Sequence, residues 1–378
     1  MDFEPSEDQR LLLESVSRLL ADTYSFAQRK TYIAKPEGYS TEMWSKFAEL
    51  GLLGLPFGEE YGGFGGGAQE IMLVMQAFGR VLVLEPYLPT VVLAGTAIRM
   101  AGNAAQKQAL LTAIAEGSLK MAFAHGERQA RYDLTDVVTT AKRNGAGWVL
   151  DGSKTVVSHG EAADKIIVSA RTSGDRHDAD GITLFIVDTS AQGVARRGYA
   201  TRDETRAADV SLSNVAVSDA DVLGEVGKGL PIIEGVIEAG IAAIAGETVG
   251  AMEAMNEMTL EYSKTRVQFG QPIGSYQVVQ HRLADMFMTQ EQGRSMAMLA
   301  TVAVDNADPA ERAHDIATAK VGIGQAGRYV SQSAVQMHGG IGMTEEYAVG
   351  HYFRRCMVNE RLFGDPAYYL QKLAEEVQ

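Results

Sequence analysis

From residue 1 to about 118 the apolar positions recur at helical spacing, as Leu11, Leu12, Val16, Leu19 and Leu20 show, because a period near 3.6 lines one face of a helix. Ser6-Glu7-Asp8-Gln9 reads as an N-cap followed by acidic and amide residues in a first turn. The stretch Glu49-Leu50-Gly51-Leu52-Leu53-Gly54-Leu55-Pro56 ends a helix, and Glu59 to Gly67 forms a flexible glycine loop before helices resume near Gln69. That glycine run lacks the lysine and the preceding strand of a phosphate-binding P-loop, so it reads as a plain connection.

Between about 119 and 226 the period shortens to two. Trp148 to Val157 reads as a hairpin turning at Asp151-Gly152. Lys165–Ala170, Ile182–Val187 and Asp209–Val217 are short, β-branched and bounded by turn residues, a spacing that suggests a small barrel or sandwich. After Gly229 long helical stretches return. Ala242, Ala243, Ala245 and Gly246 within the first of them permit close helix packing. The fold class is therefore α+β, with an N-terminal helical domain (1–118), a middle β-barrel or sandwich domain (119–226) and a C-terminal four-helix bundle (227–378).

Composition narrows the function. At 378 residues, 46% hydrophobic and 22% charged, the chain is an ordinary globular sequence. A net charge of −14 repels phosphate backbones and argues against nucleic-acid binding. The single Cys356 excludes a disulfide framework and a cysteine-based metal site, and no metal is expected. No apolar run approaches the roughly 20 residues of a membrane span, and the start of the chain does not read as a signal peptide, so the expected compartment is the cytoplasm.

Two stretches carry more chemistry than packing requires. Arg266-Val267-Gln268-Phe269-Gly270-Gln271-Pro272, continuing to Gln277, crowds arginine, amides and an aromatic ring into one turn, a set suited to phosphate, amide and flat-ring ligands. Gln336-Met337-His338-Gly339-Gly340-Ile341-Gly342 places adjacent glycines after a helix, where backbone N–H groups can approach an anion, although a helix C-cap explains it equally well.

Together these stretches, with Glu49 to Gly63, resemble the signatures of the acyl-CoA dehydrogenase family, over essentially the whole chain. The resemblance implies FAD, held between the middle and C-terminal domains and completed by a neighbouring subunit. Arg266, Gln268, Phe269 and Gln277 would hold adenine and pyrophosphate from the adjacent subunit, while Gln336, Gly339 and Gly340 cradle the ribityl-phosphate region. Phe123, His125 and Gly126 would run beside the flavin, with Ser158 where the family places a threonine hydroxyl near N5. Where most members read Thr-Glu-Pro-Gly-Ala-Gly-Ser-Asp, this chain reads Gly126-Glu127-Arg128-Gln129-Ala130-Arg131-Tyr132-Asp133. Arg128 and Arg131 are departures, open to contact with CoA phosphates or an acidic acyl group, or to a role as a solvated pair.

The family's reaction removes an α-proton with a carboxylate while a β-hydride passes to the flavin. Phe363 stands where most members place that glutamate, and Gly240 where a minority do. Nearby, Glu238 is turned about 200° around the helix from Gly240, and Glu247 returns to the same face about 10 Å further along. Glu247 and Asp365 are thus the candidate bases, with a Glu247 paired to a neighbouring arginine or backbone group as the structural alternative. The sequence also looks like the small subunits of bacterial pimeloyl-CoA dehydrogenases. Two functions follow: an active FAD-dependent acyl-CoA dehydrogenase with a relocated base, or a non-catalytic subunit completing the FAD sites of a partner. The implied partners are an acyl-CoA of undetermined chain, an electron-transfer flavoprotein as acceptor, and further copies in a homotetramer or an α2β2 heterotetramer.

Overall fold

The computed structural model describes residues 6–376. In chain order the helices are α1 (Glu7–Thr23), α2 (Phe26–Ile33), α3 (Thr41–Glu49), α4 (Ala68–Val81), α5 (Gly95–Ala101) and α6 (Ala104–Ala115). The strands follow: β1 (Met121–Ala124), β2 (Thr140–Asn144), β3 (Gly147–Ser158), β4 (Lys165–Arg171), β5 (Ile182–Asp188), β6 (Val194–Ala200), β7 (Arg206–Ser218) and β8 (Val222–Leu223). Then come α7 (Leu230–Thr265), a hairpin of β9 (Val267–Gln268) and β10 (Gln271–Pro272), α8 (Gln277–Val304), α9 (Pro309–His338), α10 (Val349–Asn359) and α11 (Pro366–Glu375).

Packing groups these elements into two compact units. One compact unit takes the chain up to Tyr32 together with Ala68–Val83 and Ile241–Gln378, and the other takes Ile33–Gly67 and Leu84–Gly240. The reason lies in α4. Carboxy-terminal to its N-terminal surroundings in sequence, it nevertheless packs on α7, where a Cβ on Gly79 would stand 1.9 Å from the Glu247 carbonyl oxygen and one on Gly250 1.9 Å from the Gln76 carbonyl oxygen. Backbones meet there because the side chains are absent. Ala245, Val249, Met252, Met255, Met286, Ile323 and Val330 fill the core around this crossing.

The second unit is built on an eight-stranded mixed sheet in the order β6-β7-β3-β2-β4-β5-β8, with β1 parallel to β4. The capping box expected at Ser6 is present, Gln9 N–H donating to Ser6 Oγ at 3.2 Å and Ser6 N–H to Gln9 Oε1 at 2.9 Å. Asp151-Gly152 is not a turn. β3 runs unbroken from Gly147 to Ser158, and its register with β7 slips between Leu150 and Gly152. A Cβ on Gly152 would meet Thr139 Oγ1 at 2.6 Å, and Asp151 accepts the Asn214 amide at 2.8 Å, so the Asp-Gly pair serves a bulge, and the turn falls between Asn144 and Gly147. The glycine loop before α4 is also not slack throughout, since a Cβ on Gly63 would lie 2.2 Å from the Phe57 carbonyl oxygen.

Candidate cofactor and substrate site

In the helical unit, α8 and α9 are long antiparallel neighbours, so the start of α8 and the end of α9 share one end of the bundle. There a cavity of about 520 Å³ is lined by Gln268, Phe269, Ile273, Tyr276, Val278, Val279, Arg282, Gln336 and Met337. Gln268 and Phe269 thus share a cavity with Gln336 on a single chain. The helical hairpin brings them together. Arg266 precedes the small β-hairpin and Gln277 opens α8, both exposed at the same end.

The turn geometry explains the residue choices. Phe269 has φ +53° and is 94% exposed, which holds an aromatic ring out into solvent next to Gly270. Tyr276 supports it from the side, its ring centroid 6.5 Å away and its hydroxyl donating to the Gln268 carbonyl oxygen at 3.1 Å. Gly339 has φ +61° and its N–H caps α9, so the C-cap reading of the glycine turn holds. A Cβ on Gly339 or Gly340 would meet nothing within 4 Å, so the cap also leaves open backbone at the surface. Behind it, buried His338 stacks on Tyr262 at 4.4 Å and donates from Nδ1 to the Ala334 carbonyl oxygen at 2.8 Å. Sequence reasoning missed Tyr276 and Arg282. The spacing of Val278, Val279 and Arg282, which share a helix face, was the available signal.

In the sheet unit, β1 leads into His125, Gly126 and Glu127. The Lys154 side chain is fully buried, and its ammonium donates to Glu127 Oε1 at 2.7 Å, Ser169 Oγ at 2.9 Å and the His125 carbonyl oxygen at 3.2 Å. Burial pushes the Lys154 amine down to about 8, against the pull of Glu127. Burial acts to raise the Glu127 carboxyl as well, but the Lys154 charge and hydrogen bonds from Lys154, Thr139 and Gln129 outweigh it and hold the group at about 2. His125 is pushed down to about 3 by burial and then by Lys154, so it is neutral. Its Nδ1 lies 2.9 Å from Ser169 Oγ. This network, unanticipated from sequence, fixes the segment from Phe123 in β1 through His125 and Gly126 against β3, which carries Ser158 at its end. The Thr155 amide donating to the Gly126 carbonyl oxygen at 2.8 Å completes the tie.

The two candidate bases have other employment. Glu247 is buried on α7, with Arg355 Nε on Oε1 and Arg355 Nη2 on Oε2, each at 2.8 Å, and Asn359 Nδ2 on Oε2 at 3.1 Å. Asp365 is the N-cap of α11, accepting the Tyr368 amide at 2.9 Å. Phe363 adopts φ +64° and its carbonyl oxygen accepts the Tyr369 hydroxyl at 2.8 Å, while Gly240 is an interior residue of α7. Structural pairing is therefore the role that the geometry displays for Glu247, with capping for Asp365. Among the described residues no helix is long and apolar enough to cross a membrane.

The chain matches the family models for the acyl-CoA dehydrogenase N-terminal domain over residues 6–118, middle domain over 122–215 and C-terminal domain over 227–378. It is 30% identical to the probable acyl-CoA dehydrogenase YngJ of Bacillus subtilis (strain 168), across 99% of this chain and 98% of that protein. The butyryl-CoA dehydrogenase structure from Megasphaera elsdenii superposes with a TM-score of 0.91 at 28% identity over 100% of both chains. A chain of the ChsE4-ChsE5 complex from Mycobacterium tuberculosis does so at 0.88 and 27%, covering 100% of this chain and 99% of that one.

Proposed function

Because the chain belongs to the acyl-CoA dehydrogenase family, we propose that it takes part in α,β-desaturation of an acyl-CoA thioester, the α-proton leaving to a carboxylate and the β-hydride to FAD. Members of the family are FAD-dependent oxidoreductases that act on CH–CH bonds of acyl-CoA. The cavity shared by Gln268, Phe269, Arg282 and Gln336 carries the reading, since it joins amides, a guanidinium and an exposed aromatic ring, donors and surfaces that suit a dinucleotide. Arg266, Gln277, Gly339 and Gly340, close in sequence to this lining, are assigned with it to the hold on adenine, pyrophosphate and the ribityl-phosphate region. When bound, FAD supplies the hydride acceptor. Phe123, His125, Gly126 and Ser158 belong beside its ring system, and the Lys154–Glu127 pair ties the segment after β1 to β3.

A second reading is favoured by one observation. Glu247 and Asp365 are both engaged, Glu247 through both oxygens, and a general base needs a free lone pair within reach of the proton. The chain then completes the FAD sites of a base-bearing partner in an α2β2 assembly, a two-protein arrangement like that of the ChsE4-ChsE5 complex. An electron-transfer flavoprotein is the expected reoxidant in either case. One experiment separates the two: the chain is purified alone, its bound FAD is quantified, and flavin absorbance is followed anaerobically under acyl-CoA. Bleaching by the isolated chain supports the self-sufficient enzyme. Bleaching that requires an added partner supports the heteromer, and failure to retain FAD in any assembly sinks both.

A further inference from the structure

The segment Gly126–Asp133 departs from the family pattern that the chain otherwise resembles, and two of its departures are arginines. Hydrogen bonds from Ala130 N–H to the Glu127 carbonyl oxygen (3.2 Å) and from Asp133 N–H to the Ala130 carbonyl oxygen (2.9 Å) form two consecutive turns. Arg128 holds the second position of the first turn and Arg131 the second position of the next, and both are exposed. The loop is rigid around them. Glu127 accepts the amides of Val138 and Thr139, Arg176 clamps Asp136 through Nε at 2.5 Å and Nη2 at 2.6 Å, and Arg171 donates to the Thr135 carbonyl oxygen at 2.8 Å.

The charges have been sorted unevenly. The acids of the loop are taken, Glu127 by Lys154, Asp136 by Arg176 and Asp133 by His177 at 3.4 Å and the Thr135 hydroxyl at 2.7 Å. Arg128 and Arg131 have no hydrogen-bond or ion-pair partner among the described residues. They stand as a local positive excess on a chain of net charge −14.

Backbone strain marks the same place. Arg131 adopts φ +52°, a left-handed conformation that glycine takes freely and that costs a side-chain-bearing residue on the order of 1 kcal/mol. Alongside, β3 slips register with β7 between Lys154 and Val157, and Val156 there has φ +53° and is 56% exposed, an outlier for a β-branched residue. Thr155 N–H ties this bulge to Gly126. An arginine on strained backbone in a braced loop, with no partner among the described residues, contributes nothing visible to folding and leaves its guanidinium available to an anion.

We propose that Arg128 and Arg131 form an oxyanion subsite of this chain, reading either a phosphate of the CoA carrier or a carboxylate at the far end of the acyl group. The inference rests on the acyl-CoA reading above. Two planar guanidiniums held on consecutive turns suit fork-like recognition of such groups.

The test uses the FAD-loaded protein and titration calorimetry with three thioesters of equal chain length: a monocarboxylic acyl-CoA, its ω-carboxylated analogue and the monocarboxylic acyl-3′-dephospho-CoA. Arg128→Gln and Arg131→Gln are each expected to weaken binding on the order of tenfold, with flavin content unchanged. A loss confined to the ω-carboxylated ligand assigns the subsite to the acyl carboxylate. A loss that disappears with the dephospho ligand assigns it to the 3′-phosphate, and one shared by all three to the diphosphate. Arg131→Gly relieves the strained backbone, so it is expected to raise the melting temperature while weakening binding like the glutamine variant. Wild-type affinity for all three ligands in both glutamine variants overturns the subsite alone. A wild-type protein that holds FAD but binds no CoA thioester overturns the acyl-CoA reading and the subsite with it.

Discussion

Arg355 and Glu247 meet as a buried, two-pronged ion pair, Nε to Oε1 and Nη2 to Oε2 at 2.8 Å each, between α10 and α7. Both side chains lie largely out of water, at 11% and 3% exposure. Such a pair ranks low as a net stabiliser, yet removing one member strands the other charge.

Glu247→Gln is therefore expected to cost about 3 kcal/mol of stability, read as a lowered urea midpoint. If pairing is the role of Glu247, the folded variant retains the anaerobic flavin bleaching of the parent assembly within a few-fold. A loss of bleaching by several orders of magnitude in a protein with normal stability would instead make Glu247 the base.

The α4–α7 crossing makes a second prediction. A methyl at Gly79 meets the Glu247 carbonyl oxygen at 1.9 Å, a backbone atom that cannot swing aside. Gly79→Ala should lower stability by about 2–3 kcal/mol or more. A methyl at Gly340 meets nothing within 4 Å, so Gly340→Ala should leave the melting temperature of the apoprotein unchanged while reducing FAD retention. Equal apoprotein melting losses in the two variants would remove the argument for Gly340.

Phe269 tests the cavity directly. Its ring is 94% exposed, so Phe269→Ala should shift stability by less than about 0.5 kcal/mol. The expected effect is on cofactor binding, measured as the ratio of flavin to protein after gel filtration. A variant that keeps a full complement of FAD through extended dilution would argue against a nucleotide role for this ring.

The Glu127 carboxyl gives a pH signature. Its folded value of about 2 lies below the ordinary 4.5. A depressed carboxylate contributes stability above its unfolded value and loses that contribution as the pH falls through its folded one. Wild-type midpoints should thus fall relative to those of Glu127→Gln as the pH is lowered from about 4.5 to about 2. Parallel midpoints in the two proteins across that window would show that Glu127 is not held ionised.

Local signals reached far in this chain. The Ser6 cap, the change of period near 119 and the small residues of α7 depend on neighbours in sequence, and the structure has each of them. Asp151-Gly152 shows where local signals end. The same dipeptide can close a hairpin or relax a bulge, and it is the approach of Thr139 and the Asn214 amide, neither nearby in sequence, that selects the bulge.

The sequence by itself determined the order of helix, sheet and helix and the two chemically dense turns at 266–277 and 336–342, because hydrophobic period and residue type are written locally. Tertiary structure decided which groups are free to act. It placed Gln268 beside Gln336 across the α8–α9 hairpin, paired Glu247 with Arg355 and Lys154 with Glu127, and gave Arg128 and Arg131 no partner among the described residues. Whether a charge is available for chemistry depends on what folding brings within about 3 Å of it, and those neighbours lie tens to hundreds of residues away along the chain.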